Sequence, residues 1–415
     1  MRLQAKIETL TPVHIGSGTK YTNHLEFIYE RENNDYWGGI VDIEKIYNII
    51  GEENIHLLTL AIERKQNIVD FVKPYVQNLK LEDITKRIFF IYGKDLRNKQ
   101  DIKEHIHSAG KPIIPGSSIK GAVRTAILSH LIKKFPQPAK DIINNYKPKY
   151  NKQKYDKNSE QWTKKDFSNI SKQIESFYFA NTKDNAPNND LMRFIAFSDA
   201  HFATDETIAT EVKTLSLQRY GWQFKSFSQL VECLAQGITA DVYITINDLQ
   251  LNQYKNRYIQ QKLTTNIQTE LLTIVSSTEK LCQVINNHTR SLLQREIELW
   301  QKQIHNAKGK ILKVVQNYLN GLQKIFDDLQ TILDSFTDNS NQCILRLGAY
   351  EGWEFITGAW ANAEYGIFTE KQWQTLFHQL NRKRDTDLFP KTRHLDYEGN
   401  FMGFVRIIFD KKSST

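Results

Sequence analysis

One segment near residue 115 combines residue types that bind anions: a glycine-containing turn, two hydroxyl groups and two cations. Residues 114–124 read Ile-Pro-Gly-Ser-Ser-Ile-Lys-Gly-Ala-Val-Arg. The Pro-Gly pair indicates a turn, and either of the two serines that follow is a candidate N-cap of a helix. Apolar residues then recur at helical spacing, which predicts an amphipathic helix. Lys120 and Arg124 are four residues apart and therefore share another face of that helix.

The predicted turn and helix start would form a phosphate site, because backbone N–H groups and the helix dipole favour an anion there. The segment differs from a nucleotide-binding P-loop, since Ala122 and Val123 stand where that motif needs Lys and then Ser or Thr. Spacing leaves an alternative open, in which the glycines only form a tight turn and the cations are solvated. The candidate phosphate contacts are Gly116, Ser117, Ser118, Lys120, Gly121 and Arg124.

A second glycine turn follows the first predicted strand. Residues 2–10 alternate polar and apolar side chains, which predicts a half-buried strand. Thr-Pro interrupts the strand, and Gly16-Ser17-Gly18 then allows a sharp turn and a close approach of the backbone to a ligand. This turn is not a dinucleotide-binding fingerprint, because Tyr21 occupies the position of the third glycine.

Both segments resemble motifs of the RAMP superfamily of CRISPR RNA-binding proteins. Residues 114–124 are similar to its glycine-rich motif, and residues 10–18 (Leu-Thr-Pro-Val-His-Ile-Gly-Ser-Gly) are similar to its first-strand signature. With Phe-Pro-Lys-Thr-Arg at 389–393 and Met-Gly-Phe-Val-Arg at 402–406, the pattern resembles most closely the fifth-subunit family of the type III-A Csm effector complex. Residues 346–352 stand where that family carries another glycine-rich loop, but here the loop is bulkier and acidic.

The resemblance implies a non-catalytic RNA-binding subunit that caps the 3′ end of the CRISPR RNA (crRNA) filament and supports crRNA maturation and antiviral defence. It would stack on the repeated backbone subunit and touch the small helical subunit, and host trimming nucleases are candidate partners. Backbone amides, hydroxyls and cations would hold RNA without reading its bases. The implied RNA contacts are Gly16, Ser17, Gly18, Gly116, Ser117, Ser118, Lys120, Gly121, Arg124, Lys391 and Arg393.

The predicted elements are typical of an α+β fold, and the resemblance implies two ferredoxin-like (RRM-like) RAMP domains, expected at residues 1–250 and 251–415. A lysine-rich insertion is expected at about 133–190, where low hydrophobicity and high charge predict a mobile segment. Its aromatic residues suit single-stranded nucleic acid, or the segment is a solvated surface loop. The aromatic residues interleaved with its lysines are Tyr146, Tyr150, Tyr155 and Trp162.

The predicted second domain begins with a stretch, from about 252 to 338, that is nearly free of helix breakers. Apolar residues there step by threes and fours, which predicts a long helical hairpin or bundle. This apolar seam is either internal packing or a docking surface for a partner subunit. Strands predicted at 343–347, 353–356 and 404–409 would then form a smaller C-terminal sheet.

Composition favours an anionic partner. The net charge is +8, and residues 133–172 carry eleven lysines against four acidic residues, a local net charge of +7. Cys233, Cys282 and Cys343 are too few and too far apart for a disulfide framework or a cysteine-rich zinc site. No run approaches eighteen apolar residues and no apolar signal core is present, so we expect a cytoplasmic protein without a membrane span.

An enzymatic alternative exists, because related RAMP families include endoribonucleases that process precursor crRNA. Metal-independent RNA cleavage uses a general base near the 2′-hydroxyl, commonly histidine. His14 is the candidate, although its place among alternating apolar residues also fits a histidine inside the sheet. His105 and His107 could form half of a metal site, but no neighbouring trio completes it. Residues 198–201 bring Ser, Asp and His together without a nucleophile elbow, and we expect no catalytic residue, metal or cofactor.

Overall fold

The computed structural model describes residues 2–93, 101–147, 164–180, 189–218, 221–260, 265–334, 341–356, 359–361, 366–369, 372 and 392–410. The strands are β1 (Arg2–Thr9), β2 (Gly16–Tyr21), β3 (Phe27–Glu32), β4 (Asp35–Val41), β5 (Thr85–Tyr92), β6 (Ile102–His105), β7 (His107–Ser108), β8 (Lys111–Ile114), β9 (Ile195–Phe197), β10 (Ala200–His201), β11 (Thr207–Gln218), β12 (Gly221–Leu234), β13 (Thr239–Ile246), β14 (Gln342–Arg346), β15 (Thr392–Leu395) and β16 (Phe404–Phe409). The α-helices are α1 (Ile43–Ile50), α2 (Ile55–Glu63), α3 (Ile68–Val72), α4 (Gly116–Lys134), α5 (Gln137–Asn145), α6 (Lys164–Ala180), α7 (Asp248–Gln260), α8 (Asn266–Ser276), α9 (Thr278–Gln303) and α10 (Lys310–Asp334).

The central sheet has five antiparallel strands and draws on both ends of the chain. Its strand order is β14-β16-β1-β13-β9. Ala5 of β1 lies opposite Val242 of β13, and Ile7 lies opposite Ile407 of β16. Alternate residues of β1 are buried and exposed, as a strand with one covered face requires. The predicted N-terminal strand is confirmed, and it forms the middle of this sheet.

The separate smaller C-terminal sheet that we expected does not form. β14 and β16 pair with each other, and β16 also pairs with β1, which would otherwise present an unpaired edge. The strand predicted at 353–356 is wrong as well. Trp353–Phe355 is a 3-10 turn, because Gly352 before it adopts a φ of 88° that ends the extended backbone.

Helices cover one face of the central sheet and bury the main hydrophobic core. The core joins Ala5 and Ile7 of β1 to Ile119 and Val123 of α4 and to residues of α8 and α9, among them Leu271. The fold therefore mixes sheets and helices as the sequence predicted. In the part of the chain that the structure covers, no helix is long and apolar enough to cross a membrane.

A larger sheet of eight strands lies beside the central one. Its order is β2-β6-β12-β11-β5-β4-β3, and β15 pairs with β11. β6 pairs with β12, and β5 with β11, in parallel, whereas β11 and β12 form a long antiparallel hairpin that the sequence analysis missed. A short three-stranded sheet of β10, β8 and β7 leads directly into α4.

The lysine-rich region at 133–190 is more compact than expected where the structure describes it. α4 continues to Lys134, and both α5 and α6 contribute to the main core through Ile143, Ile170 and Ile174, which are each at most 1% exposed. Apolar residues at helical spacing therefore outweigh the high mean charge of the region. Residues 148–163 and 181–188, with three of the four aromatic side chains singled out above, lie outside the described residues.

The apolar seam of the C-terminal helices is internal packing. Trp300 of α9 and Tyr318 and Leu322 of α10 are buried in one cluster with Trp222 of β12. The predicted hairpin of two long helices is confirmed, since α9 and α10 pack together along their lengths. A Cβ at Gly321 would lie 3.0 Å from the Phe401 ring, so glycine there admits an aromatic side chain against α10.

Candidate nucleic-acid interface

The three glycine-containing segments singled out in the sequence meet around one cavity of about 440 Å³. The β1–β2 connection, the first turns of α4 and the loop after β14 each form part of its wall. These segments are about 100 and 230 residues apart along the chain, and the sheet brings them together. Lining residues that belong to the three segments are Gly16, Ser118, Gly121, Arg124, Gly348 and Glu351.

The loop after β14 is held against the first glycine segment. The backbone N–H of Ala349 donates to the carbonyl of His14 at 2.9 Å, and Gly348 has a φ of 108°, which favours glycine. Burial raises the pKa of Glu351 well above its ordinary value, although the nearby Arg346 acts in the opposite direction. This shift reduces the negative charge that the loop presents to a phosphate.

Gly121 lies inside α4, where glycine is less stable than alanine by about 1 kcal/mol. A Cβ on Gly121 would meet no atom of the described residues within 4 Å. The residue is exposed and lines the cavity. No packing contact in the described structure therefore requires glycine here, and the space above its backbone is open to a ligand.

Gly116 has a different role from the one predicted. Its N–H donates to Oδ1 of Asp199 at 2.7 Å, and a Cβ would lie 2.0 Å from the carbonyl oxygen of Phe197. The first amide of α4 is thus taken by an internal carboxylate, which the helix dipole stabilises. The prediction that a serine caps the helix is wrong, because Pro115 holds the N-cap position and both Ser117 and Ser118 lie within the first turn.

The Gly16-Ser17-Gly18 turn forms the start of β2, an exposed edge strand. Gly18 has a φ of 93°, a conformation that L side chains rarely adopt. The Ser17 hydroxyl donates to Oε2 of Glu104 at 2.8 Å and accepts from the N–H of Thr19 at 3.0 Å. Gly16 lines the cavity, whereas the Ser17 side chain binds within the protein.

The two cations of α4 are in different environments. The Arg124 guanidinium pairs with Asp190 at 2.7 Å and with Glu175 at 3.4 Å, and its Cζ lies 3.8 Å from the centre of the Phe179 ring. Partial burial lowers the pKa of Lys120, Asp190 offsets part of that shift, and Arg124 adds to it. Arg124 is therefore engaged by internal carboxylates, and among the described residues no carboxylate lies within 4 Å of the Lys120 amine.

Arg393 is not among the residues that line the cavity. Its guanidinium makes a bidentate pair with Glu296, with Nη2 2.6 Å from Oε2, and the residue is only 9% exposed. A buried carboxylate needs such a paired cation, and this contact places Arg393 out of reach of RNA. The predicted contact at Arg393 is therefore corrected, and Lys391 lies outside the described residues.

A buried charge network that the sequence analysis missed supports β2. The Arg87 guanidinium binds Glu232 at 2.8 Å and Glu104 at 3.1 Å, and the Tyr21 hydroxyl also donates to Glu104. Burial would raise the pKa of Glu104, but hydrogen bonds from Tyr21 and Ser17 and the Arg87 charge hold it below its ordinary value. These residues come from four strands, so no local spacing in the sequence could have revealed the network.

The histidines considered for catalysis or metal binding have structural hydrogen bonds. Nδ1 of His14 donates to the backbone carbonyl of Glu232 at 2.6 Å, the residue is 3% exposed, and burial lowers its pKa. Burial lowers the pKa of His105 to about 3, and its two nitrogens bond the N–H of Ile15 and the carbonyl of Ile113. Within the described ranges, no group of three His, Cys, Asp or Glu side chains could hold a metal ion.

Comparison with protein families identifies the class of this chain. Residues 6–351 match the model of the RAMP superfamily. Because that match spans most of the sequence, the chain belongs to the RAMP superfamily.

Within that superfamily, the chain is similar to proteins named CRISPR system Cms protein Csm5. The one from Streptococcus thermophilus is 30% identical over 165 residues, which cover 32% of this chain and 43% of that protein. The one from Methanocaldococcus jannaschii is 24% identical over 273 residues, which cover 64% of this chain and 56% of that protein. The chain thus spans about half the length of these curated relatives.

Solved structures of similar fold span the whole chain. One is a chain of the cryo-EM structure of the Csm–crRNA–target RNA ternary complex of a type III-A CRISPR-Cas system, with 18% identity, a TM-score of 0.62 and coverage of 99% of this chain and 100% of that one. Another is the crystal structure of T. onnurineus Csm5, with 18% identity, a TM-score of 0.57 and coverage of 96% and 99%. At this level of identity the likeness supports the fold.

Proposed function

We propose that this chain is a non-catalytic RNA-binding subunit of a type III-A Csm complex, where it caps the 3′ end of the crRNA. Its superfamily and its similarity to Csm5 proteins support the kind of complex. Gly121 carries the RNA-binding part, because it is a helix-interior glycine that the described fold does not require, and it opens on a cavity shared with Gly16 and Gly348. Support of crRNA maturation and of antiviral defence in the cytoplasm would follow from capping.

In the proposed mechanism, phosphates approach the bare backbone at Gly16 and Gly121. The hydroxyl of Ser118 and the Lys120 amine add a hydrogen bond and a positive charge at the same cavity wall. Such contacts do not depend on base identity, as a protein that binds guides of many sequences requires. We assign structural roles to Gly116, Arg124 and Arg393, while Ser17, Gly18, Ser117 and Lys391 stay predicted contacts.

The proposed partners are the repeated backbone subunit, the small helical subunit and trimming nucleases of the host. For the fold, we propose that the central sheet is one ferredoxin-like unit. Its strands β16-β1-β13-β9 have the order 4-1-3-2 when they are counted along the chain, with helices in both crossovers. This unit would join the predicted domains 1–250 and 251–415, and a second unit stays a prediction.

A carboxylate at position 121 tests the cavity directly. Gly121→Glu fits the fold, because a Cβ there meets no described atom, and we expect it to weaken single-stranded RNA binding roughly tenfold through repulsion of phosphate. Thr59→Glu on the exposed face of α2 is the matched control for charge. Fluorescence anisotropy with labelled RNA measures the affinity, and circular dichroism checks the fold.

Two results would contradict the proposal. An equal effect of Gly121→Glu and Thr59→Glu on affinity would show that the cavity is not the RNA site. Cleavage of precursor RNA in the presence of EDTA, if it is lost in His14→Ala, would contradict the non-catalytic part and favour the endoribonuclease alternative.

A further inference from the structure

A second groove, of about 670 Å³, lies between the C-terminal half of α4 and helices α8, α9 and α10. Four cations and one carboxylate line it, a net charge of +3 in one small surface. The charged residues of the groove are Lys133, Lys134, Glu270, Lys280 and Arg290. A concave surface with this excess of positive charge favours an anionic ligand.

The carboxylate in the groove is already neutralised from within. Glu270 accepts from the Lys134 amine at 2.7 Å and from Nε2 of His130 at 2.8 Å. Burial would raise the pKa of Glu270, but these two hydrogen bonds hold it below its ordinary value. Cations that have no carboxylate within 4 Å among the described residues are Lys133, Lys280 and Arg290.

The groove also contains two buried polar atoms without a hydrogen-bond partner in the described structure, Oγ of Ser129 and Nδ1 of His288. Ser129 is 1% exposed. A helical serine commonly bonds the carbonyl four residues before it, and an unpaired buried hydroxyl costs about 1–3 kcal/mol. A ligand that brings oxygen atoms into the groove would satisfy this hydroxyl.

An aromatic ring completes the groove. Phe326 of α10 is partly buried there, and the Arg290 guanidinium lies 6.0 Å from the centre of its ring. A ring that can stack on a base, beside cations that can bind phosphate, is the combination that single-stranded nucleic acid uses. Ser129 is eight residues beyond Gly121 in α4, about 12 Å along the helix axis. One RNA strand could therefore contact both sites.

We propose that this groove is a second binding site for the phosphate backbone of single-stranded RNA, on the helical side of the protein. The inference deepens the proposed function and rests on it. An acidic protein segment would meet the same cations. RNA is the better fit, because phosphate oxygens can reach the recessed Ser129 hydroxyl while a base stacks on Phe326 beside Arg290.

Charge removal in the full-length chain tests the groove. The variant Lys133→Gln/Lys280→Gln/Arg290→Gln should flatten the log–log salt dependence of RNA binding by about 2, since each lost contact on single-stranded RNA contributes about 0.7. The matched control, which removes three exposed cations elsewhere, should keep the wild-type slope. Anisotropy with a labelled oligouridylate measures both. The control substitutions are Arg64→Gln, Lys73→Gln and Lys308→Gln.

Ser129→Ala separates a binding role from a structural one. The free protein loses an unpaired buried hydroxyl, so its melting temperature should stay the same or rise. RNA affinity should nevertheless fall severalfold, because the phosphate loses a hydrogen-bond donor. Unchanged affinity in this variant, together with an unchanged slope in the triple variant, would overturn the inference.

The outcomes of these assays separate the two sites. Weakened binding in Gly121→Glu with normal binding in the groove variants supports the proposed function and overturns the groove. Weakened binding only in the groove variants supports the groove and overturns the cavity. Absence of RNA binding by the wild-type chain overturns both, and binding of polyglutamate in place of RNA would make the groove a docking site for acidic protein and overturn the inference.

Discussion

Gly116 and Gly121 are five residues apart in one helix and differ in what surrounds them. The carbonyl of Phe197 occupies the space where a Cβ of Gly116 would lie, and Asp199 binds its N–H. Gly121 faces an open cavity. Two identical residue types in one motif therefore have separate physical reasons, one inside the fold and one outside it.

Alanine at each position should reveal this difference. Gly116→Ala should lower the free energy of unfolding by about 1–3 kcal/mol, the usual cost of overpacking, because its Cβ must displace backbone. Gly121→Ala should raise the free energy of unfolding by about 0.5–1 kcal/mol, since alanine is the better helix former. Urea denaturation measures both values, and effects of the same sign would contradict the assignment.

At the scale of elements, a buried ion pair joins the C-terminal helices to β15. Glu296 of α9 binds Arg393 of β15 and also accepts from Nε1 of Trp300 at 2.7 Å and from the Tyr318 hydroxyl of α10 at 2.9 Å. Burial would raise the pKa of Glu296, but the Arg393 charge outweighs it and holds the pKa below its ordinary value. The arginine of the predicted Lys-Thr-Arg motif thus clamps three elements together.

Removal of this arginine should destabilise the protein strongly. Arg393→Met leaves a buried carboxylate unpaired, which should cost about 3–5 kcal/mol of unfolding free energy. The double variant Arg393→Met/Glu296→Leu should recover most of that loss, because no buried charge remains. Thermal and urea denaturation measure the stabilities, and RNA affinity of the folded double variant should match the wild type. A large loss of affinity there would restore Arg393 as an RNA contact.

At the scale of the whole molecule, buried neutral histidines should make the protein sensitive to mild acid. Burial lowers the pKa of His105 to about 3, below the ordinary 6.5 expected in the unfolded chain. The unfolded chain therefore binds a proton first, and stability that is present above pH 6.5 is lost as the pH falls towards 3. Asp396 opposes this trend, because burial raises its pKa to about 6.

The His105 contribution can be isolated by substitution. His105→Asn keeps a hydrogen-bond acceptor near the N–H of Ile15 but does not titrate. The difference in unfolding free energy between wild type and His105→Asn should therefore shrink or change sign in favour of the variant between pH 6.5 and 4. Urea denaturation at a series of pH values measures this difference, and a constant difference would contradict the assigned protonation.

Local patterns predicted a large part of the fold. The alternation of residues 2–10, the apolar spacing of 114–127 and the long seam from α9 to α10 each give the observed element, because the period of apolar residues is set by the geometry of a strand or a helix. Helices α5 and α6 were missed, since the many lysines between their apolar residues concealed the period. The long β11–β12 hairpin was also missed.

The sequence by itself determined the superfamily motifs, the helix of the second motif and the cationic character of its face, since each depends on residues that are close along the chain. Only the tertiary structure decided which cations are free. Arg124 meets a carboxylate 66 residues away and Arg393 meets one 97 residues away. The same holds for the cavity, whose walls come from three distant segments. Ion pairing and cavity formation depend on distances in space, which only the packing of sheets and helices defines.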